Sequence, residues 1–131
     1  MRRALIILAS LAALVAVAAP VSGLASGHSK GIKTAATVKV ADDFYSPVDV
    51  QFRAGNKGKK VKFKWDPANT DSHNVDLTKG PKSLTRKEKK EFNSATGSIG
   101  IRFNPVFKKK GTYKFICTIH PTVMKMSVRV K

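Results

Sequence analysis

Residues 111–131 read GTYKFICTIHPTVMKMSVRVK, and each half of this stretch alternates side chains as a strand does. Tyr113, Phe115 and Cys117 share one parity. Met126, Val128 and Val130 share another, alternating with Lys125, Ser127, Arg129 and Lys131. A period of two puts one set on the core face of a sheet and the other toward water. Between the halves, Cys117-Thr118-Ile119-His120 sets a thiol and an imidazole three residues apart, where a strand ends and Pro121 shapes a loop. The parity of Cys117 turns it inward, and a turn there can swing His120 back toward the same point. Met124 follows in the same loop. Met126 already has a place as the first core-facing residue of the last strand, so of the two methionines Met124 is the one free to do something else.

Working outward, the same alternation recurs in Val38 and Val40, in Val48, Val50 and Phe52, in Val61, Phe63 and Trp65, and in Ile99, Ile101 and Phe103. Turn signals separate these runs: Ser46-Pro47, Ala54-Gly55-Asn56, Asp66-Pro67, Asn104-Pro105 and Lys110-Gly111. Many short strands at this spacing predict an all-β antiparallel sandwich or barrel. One stretch differs. Residues 80–92 are rich in Lys and Glu, and Thr85-Arg86-Lys87-Glu88 fits a capping box, which predicts a short surface helix.

A chain of 131 residues has room for one domain. Residues 1–25 read as a secretory signal peptide, with Arg2 and Arg3 ahead of an apolar run from Ala4 to Ala19 and small residues after it. A retained membrane anchor is the alternative. Residues 26–36 are small and polar and read as a flexible leader, so the folded domain is expected over residues 37–131. Export places the protein in the periplasm, at the cell envelope or outside the cell. A small exported domain commonly carries paired cysteines, yet Cys117 is the sole cysteine, so no internal disulfide forms. A lone exported thiol is safe only when buried or bound to a metal.

The 25 Lys and Arg against 8 Asp and Glu give a formal charge of +17. Such an excess favours solubility and attraction to acidic proteins, anionic membranes or envelope polymers. Nucleic acid is excluded as a partner, because an exported protein seldom meets it and no binding motif is present. The plain reading of the lysines is a solvated face; the functional one is a docking surface for an acidic redox partner or an anionic envelope.

The chemistry lies in the ligand types. Asp71-Ser72-His73-Asn74-Val75 supplies an imidazole from an earlier segment. Two imidazoles, one thiolate and one thioether are the donor set of blue-copper electron transfer. Structural zinc takes four strong ligands, while catalytic zinc with one Cys and two His remains a lesser alternative. A thiol hydrolase is disfavoured, since nucleophile and base would sit three residues apart with no oxyanion-hole motif. Multicopper enzymes need many more histidines, and only His28 is left after His73 and His120. The chain is therefore expected not to be an enzyme.

These residues carry a resemblance. GTYKFICTIHPTVMKMSVRVK looks like the last two strands and ligand loop of the cupredoxins, the plastocyanin and azurin family, and DSHNVDL resembles the segment that supplies their first histidine. VADDFYSPVDV and VKFKWDP are similar to early strands of small bacterial members. The resemblance implies a Greek-key β-sandwich, a single copper held by His73, Cys117 and His120 with Met124 axial, and Asn74 tying the two ligand loops together. It implies no role for residues 79–90. The expected function is that of an exported one-electron carrier working through Cu(I) and Cu(II). The alternative is a copper-binding protein that scavenges, stores or delivers the metal without redox turnover. Cleavage after Ala25 would begin the chain Ser26-Gly27-His28, an arrangement able to wrap Cu(II) in nitrogen ligands.

Overall fold

Val61, Phe63 and Trp65 lie buried along one face of a strand while Lys60, Lys62 and Lys64 take the other, and this division builds the whole molecule. A computed structural model of the protein describes residues 31–131. The readings of a signal peptide, of the first part of the leader and of His28 fall outside them. The strands are β1 (Thr34–Ala41), β2 (Phe44–Ser46), β3 (Asp49–Phe52), β4 (Lys59–Trp65), β5 (Asp76–Lys79), β6 (Arg102–Phe103), β7 (Val106–Phe107), β8 (Gly111–Ile116) and β9 (Lys125–Val130), with one helix, α1 (Arg86–Lys90). They form two sheets packed as a β-sandwich. One has the order β2-β1-β4-β6, with β7 also on β4; the other runs β3-β9-β8-β5.

Several features depart from the expectations. The sheets are mixed: β1 pairs parallel with β4 and β3 parallel with β9. Alternation reports which face a residue takes, and is silent on the direction of its neighbour. β1 begins at Thr34, inside the stretch read as leader, with Thr34 opposite Lys60 and Ala36 opposite Val61. Small side chains show no alternation, yet their backbone pairs as well as any other. The run Ile99, Ile101 and Phe103 is strand only at Arg102–Phe103; Ile99 is exposed, and Gly100 takes a left-handed φ of 74° that breaks the ladder. β2, β5 and β7 are strands of two to four residues without a legible pattern.

The expected helix is present, with both arms of its capping box. Thr85 Oγ1 accepts from the Glu88 amide at 3.2 Å, and Glu88 Oε2 accepts from the Thr85 amide at 2.7 Å. Lys109 donates to the same carboxylate oxygen at 2.7 Å, and this contact, ahead of the cap bonds, holds the Glu88 carboxyl down at about 2. Leu84 and Phe92, buried on either side of α1, fasten the lysine-rich segment to the core. At Gly111, whose φ is 133°, an added Cβ would lie 2.7 Å from the Pro81 ring, so that segment rests directly on the start of β8.

The core is strongly aromatic. The Phe107 ring lies against Tyr113 at a centroid distance of 4.8 Å, Phe92 at 5.0 Å, Phe52 at 5.9 Å and Phe115 at 6.2 Å. These offset and edge-on contacts add to the burial of apolar area. They join the two sheets at the end away from the loop of residues 117–124.

Candidate metal centre

Three chain segments meet at one end of the sandwich. β8 ends at Ile116, and the next residue, Cys117, keeps the inward parity of Tyr113 and Phe115 and is fully buried. The loop after it closes on itself: the Cys117 amide donates to the Met124 carbonyl at 3.0 Å, and the Met124 amide to the His120 carbonyl at 3.0 Å. That closure turns His120 back toward Cys117, leaving Cys117 Sγ and His120 Nδ1 3.9 Å apart. His73 arrives from the segment between β4 and β5. Its backbone exchanges two hydrogen bonds with Gly97, and its carbonyl accepts from the Trp65 indole at 3.3 Å. One ligand atom each from His73, Cys117 and His120 falls within 4.8 Å of the others.

The nitrogen that His73 offers is decided by a residue remote from it in the sequence. Asp42, in the turn between β1 and β2, accepts from His73 Nε2 at 2.9 Å. Asp42 also accepts from the Thr70 amide and hydroxyl, and these bonds, the one to His73 foremost, hold its carboxyl far below the ordinary range. With Nε2 as the donor, Nδ1 carries the lone pair. That atom is completely buried and has no hydrogen-bond partner among the described residues. A buried acceptor left unpaired is costly. A cation bound between Nδ1, the Cys117 sulfur and His120 would satisfy it, so the donor set fits a metal.

Asn74 clasps the two ligand-bearing segments. Its Nδ2 donates to Thr118 Oγ1 at 2.8 Å, and its Oδ1 accepts from the Thr118 amide at 2.8 Å. Its own amide points at Cys117 Sγ across 3.5 Å, and the Tyr45 hydroxyl caps its carbonyl at 2.5 Å. Burial, together with the nearby Cys117 and Asp76, pushes the Tyr45 hydroxyl far above its ordinary value, so it remains a donor.

Met124 is fully buried within the same loop; Met126 sits in β9 opposite Phe115, in the core. His120 is the partly open member of the group, with its side chain 21% exposed and flanked by the exposed Ile119 and Val123. Asp42, Tyr45 and Gly97 escaped sequence reasoning. Only the doublet Asp42-Asp43 at a strand end marked that turn as unusual.

The chain matches the description "Copper binding proteins, plastocyanin/azurin family" over residues 32–131. It belongs to that family. Among solved structures it is similar to a purple cupredoxin from Nitrosopumilus maritimus, at 25% identity and a TM-score of 0.55, covering 73% of this chain and 99% of that one. An amicyanin from Paracoccus versutus aligns at 24% identity with a TM-score of 0.53, covering 74% and 81% of the two chains. A plastocyanin from Dryopteris crassirhizoma aligns at 21% identity with a TM-score of 0.52, covering 72% and 99%. No curated protein matches the sequence. Copper is the metal of the family, and His73, Cys117 and His120 form one candidate copper site.

Proposed function

We propose that the protein is an exported type 1 copper protein that carries single electrons, with His73, Cys117 and His120 as the three strong ligands and Met124 as the weak axial one. The observation that carries this reading is the buried, unpartnered Nδ1 of His73 facing a buried thiol and a second imidazole. Copper held there would supply a one-electron couple between Cu(I) and Cu(II). The protein's part is to keep the ligands still. Asp42 orients His73, Asn74 locks Thr118 beside Cys117, and the Asn74 amide withdraws charge from the sulfur, a contact of the kind that tunes a reduction potential. His120 alone reaches the surface, so its ring edge is the place where an electron would enter and leave.

No other histidine remains for a second copper centre beyond His28, which supports a carrier that performs no catalysis of its own. The deciding measurement is the absorption and EPR spectrum after one equivalent of Cu(II) is added. An intense visible thiolate-to-copper band is expected, and its absence would overturn the reading. Rapid electron exchange with slow copper loss to a chelator supports the carrier; ready transfer of copper to an acceptor would instead indicate delivery.

The axial assignment has its own test. Met124→Leu should retain copper and colour but shift the reduction potential, because a thioether at long distance contributes weakly to binding. Met126→Leu should mainly disturb packing, by less than about 1.5 kcal/mol. Redox titration of both variants beside the parent decides it. A shift in Met126→Leu with none in Met124→Leu would reverse the assignment.

A further inference from the structure

The positive charge is not spread evenly over the sandwich. β4 starts at Lys59 and ends at Trp65, whose indole touches His73; β8 ends beside Cys117 and β9 starts beside Met124. Residues before β1, β4 and β8, and after β3 and β9, therefore occupy the opposite end. Besides Lys109, which pairs with Glu88, six cations stand there: Lys33, Arg53, Lys57, Lys108, Lys110 and Lys131. All six are exposed, and none forms an ion pair with a carboxylate among the described residues. They share one surface. The Lys33 carbonyl accepts from the Lys60 amide, the Lys131 amide bonds the Phe52 carbonyl, and a Cβ on Gly58 would lie 2.8 Å from Lys108 Cγ.

The carboxylates gather at the metal end. Asp42 and Asp43 follow β1, Asp66 follows β4, Asp71 precedes His73 and Asp76 opens β5; these are five of the 8 acidic side chains. The exposed Lys39, Lys64, Arg102 and Lys125 offset most of that negative charge, so the metal end is close to neutral and the excess of positive charge lies at the end remote from it.

We propose that this remote basic end docks on a bilayer of anionic lipid and holds the metal end outward. An acidic redox partner is the poorer fit. It would have to reach His120, where the carboxylates lie, whereas the cations are separated from that end by the 7 residues of β4, roughly 20 Å. At physiological salt, charges beyond about 8 Å are largely screened. The cations come from several loops and spread over the end of the sandwich: Lys33 and Lys57 rim one hollow beside Gly55, Lys108 lines another, and Arg53, Lys110 and Lys131 line neither, so the six do not converge on a single cleft, which suits a broad anionic surface. The chain also enters the fold at this end, through the exposed Ile32 and Lys33, so the residues that precede the domain, whether or not the apolar run Ala4 to Ala19 is retained, join it where the surface would lie. Lipid contact through cations near an anionic leaflet needs no copper, so the proposal stands or falls separately from the copper reading.

Flotation with vesicles tests it. Residues 31–131 carry both sheets and a continuous buried core between them, so the domain is used without residues 1–30, whose apolar run would partition on its own. Vesicles of phosphatidylglycerol and phosphatidylcholine in equal parts are compared with phosphatidylcholine alone. The far-end variant Lys57→Glu/Lys108→Glu/Lys110→Glu is set against Lys64→Glu/Lys114→Glu/Lys125→Glu, which changes net charge equally elsewhere. The parent should prefer the anionic vesicles, the far-end variant should lose at least about tenfold in partition, and the control should lose less than about threefold. Lys57→Gln/Lys110→Gln replaces the first triple variant if circular dichroism shows it unfolded. Equal losses in both triple variants, or a parent that binds polyglutamate but not anionic vesicles, would overturn the proposal.

Discussion

Cys117→Ser is expected to abolish the intense visible absorption of the copper-loaded protein and to weaken copper binding by more than about 100-fold, beyond the loss usual for a supporting residue. The sulfur is fully buried, sits 3.9 Å from His120 Nδ1 and takes the Asn74 amide at 3.5 Å. A serine hydroxyl in its place stays protonated near neutral pH and is a harder donor, so it offers copper neither the charge nor the covalency of a thiolate. Metal-free stability should fall by about 1–3 kcal/mol, because a hydroxyl replaces a sulfur in a site with few partners for it. Spectrophotometric titration with Cu(II) and a thermal melt of the metal-free protein separate the two effects. A variant that kept the band would remove Cys117 from the ligand set.

The second large effect is expected far from the metal. Phe107→Ala should cost about 3–5 kcal/mol, the range for deleting a large ring from a packed core. Phe107 has no exposed surface and touches four other aromatic rings drawn from β3, β8 and the segment after α1. Its strand pairs with Lys59 and Lys60 at the start of β4, whereas the metal residues lie beyond the end of β4, so the spectrum of the copper-loaded variant should match the parent's. For a domain of this size such a loss lowers the melting temperature by roughly 12 °C or more. A change of under about 1 kcal/mol in denaturant unfolding would mean that the aromatic cluster collapses around the gap and does not bind the two sheets together.

Phe107 also shows where sequence reasoning stops. Val106-Phe107 is two residues long and follows Pro105, so it has no period to detect, yet it carries the ring at the centre of the core. The longer strands β4, β8 and β9 were legible because seven or six residues repeat the inside-outside alternation several times. The helix was legible for a similar reason: its capping box joins Thr85 to Glu88 over three residues, within reach of any reading of spacing.

What the sequence determined by itself was therefore local: which faces are buried, where α1 is capped, and that a cysteine, two histidines and a methionine of the right chemical types are present. Tertiary structure decided what spacing cannot express. The parallel pairing of β1 with β4 and of β3 with β9 arises between segments whose alternation is the same for either direction. The tautomer of His73 depends on Asp42, which is 31 residues away in the chain and 2.9 Å away in space. Likewise, the sequence held the net charge of +17, but only the strand order sent six free cations to one end and the aspartates to the other. Each of these follows from contacts between segments remote in sequence, where the energy lies in which strand ends are brought together.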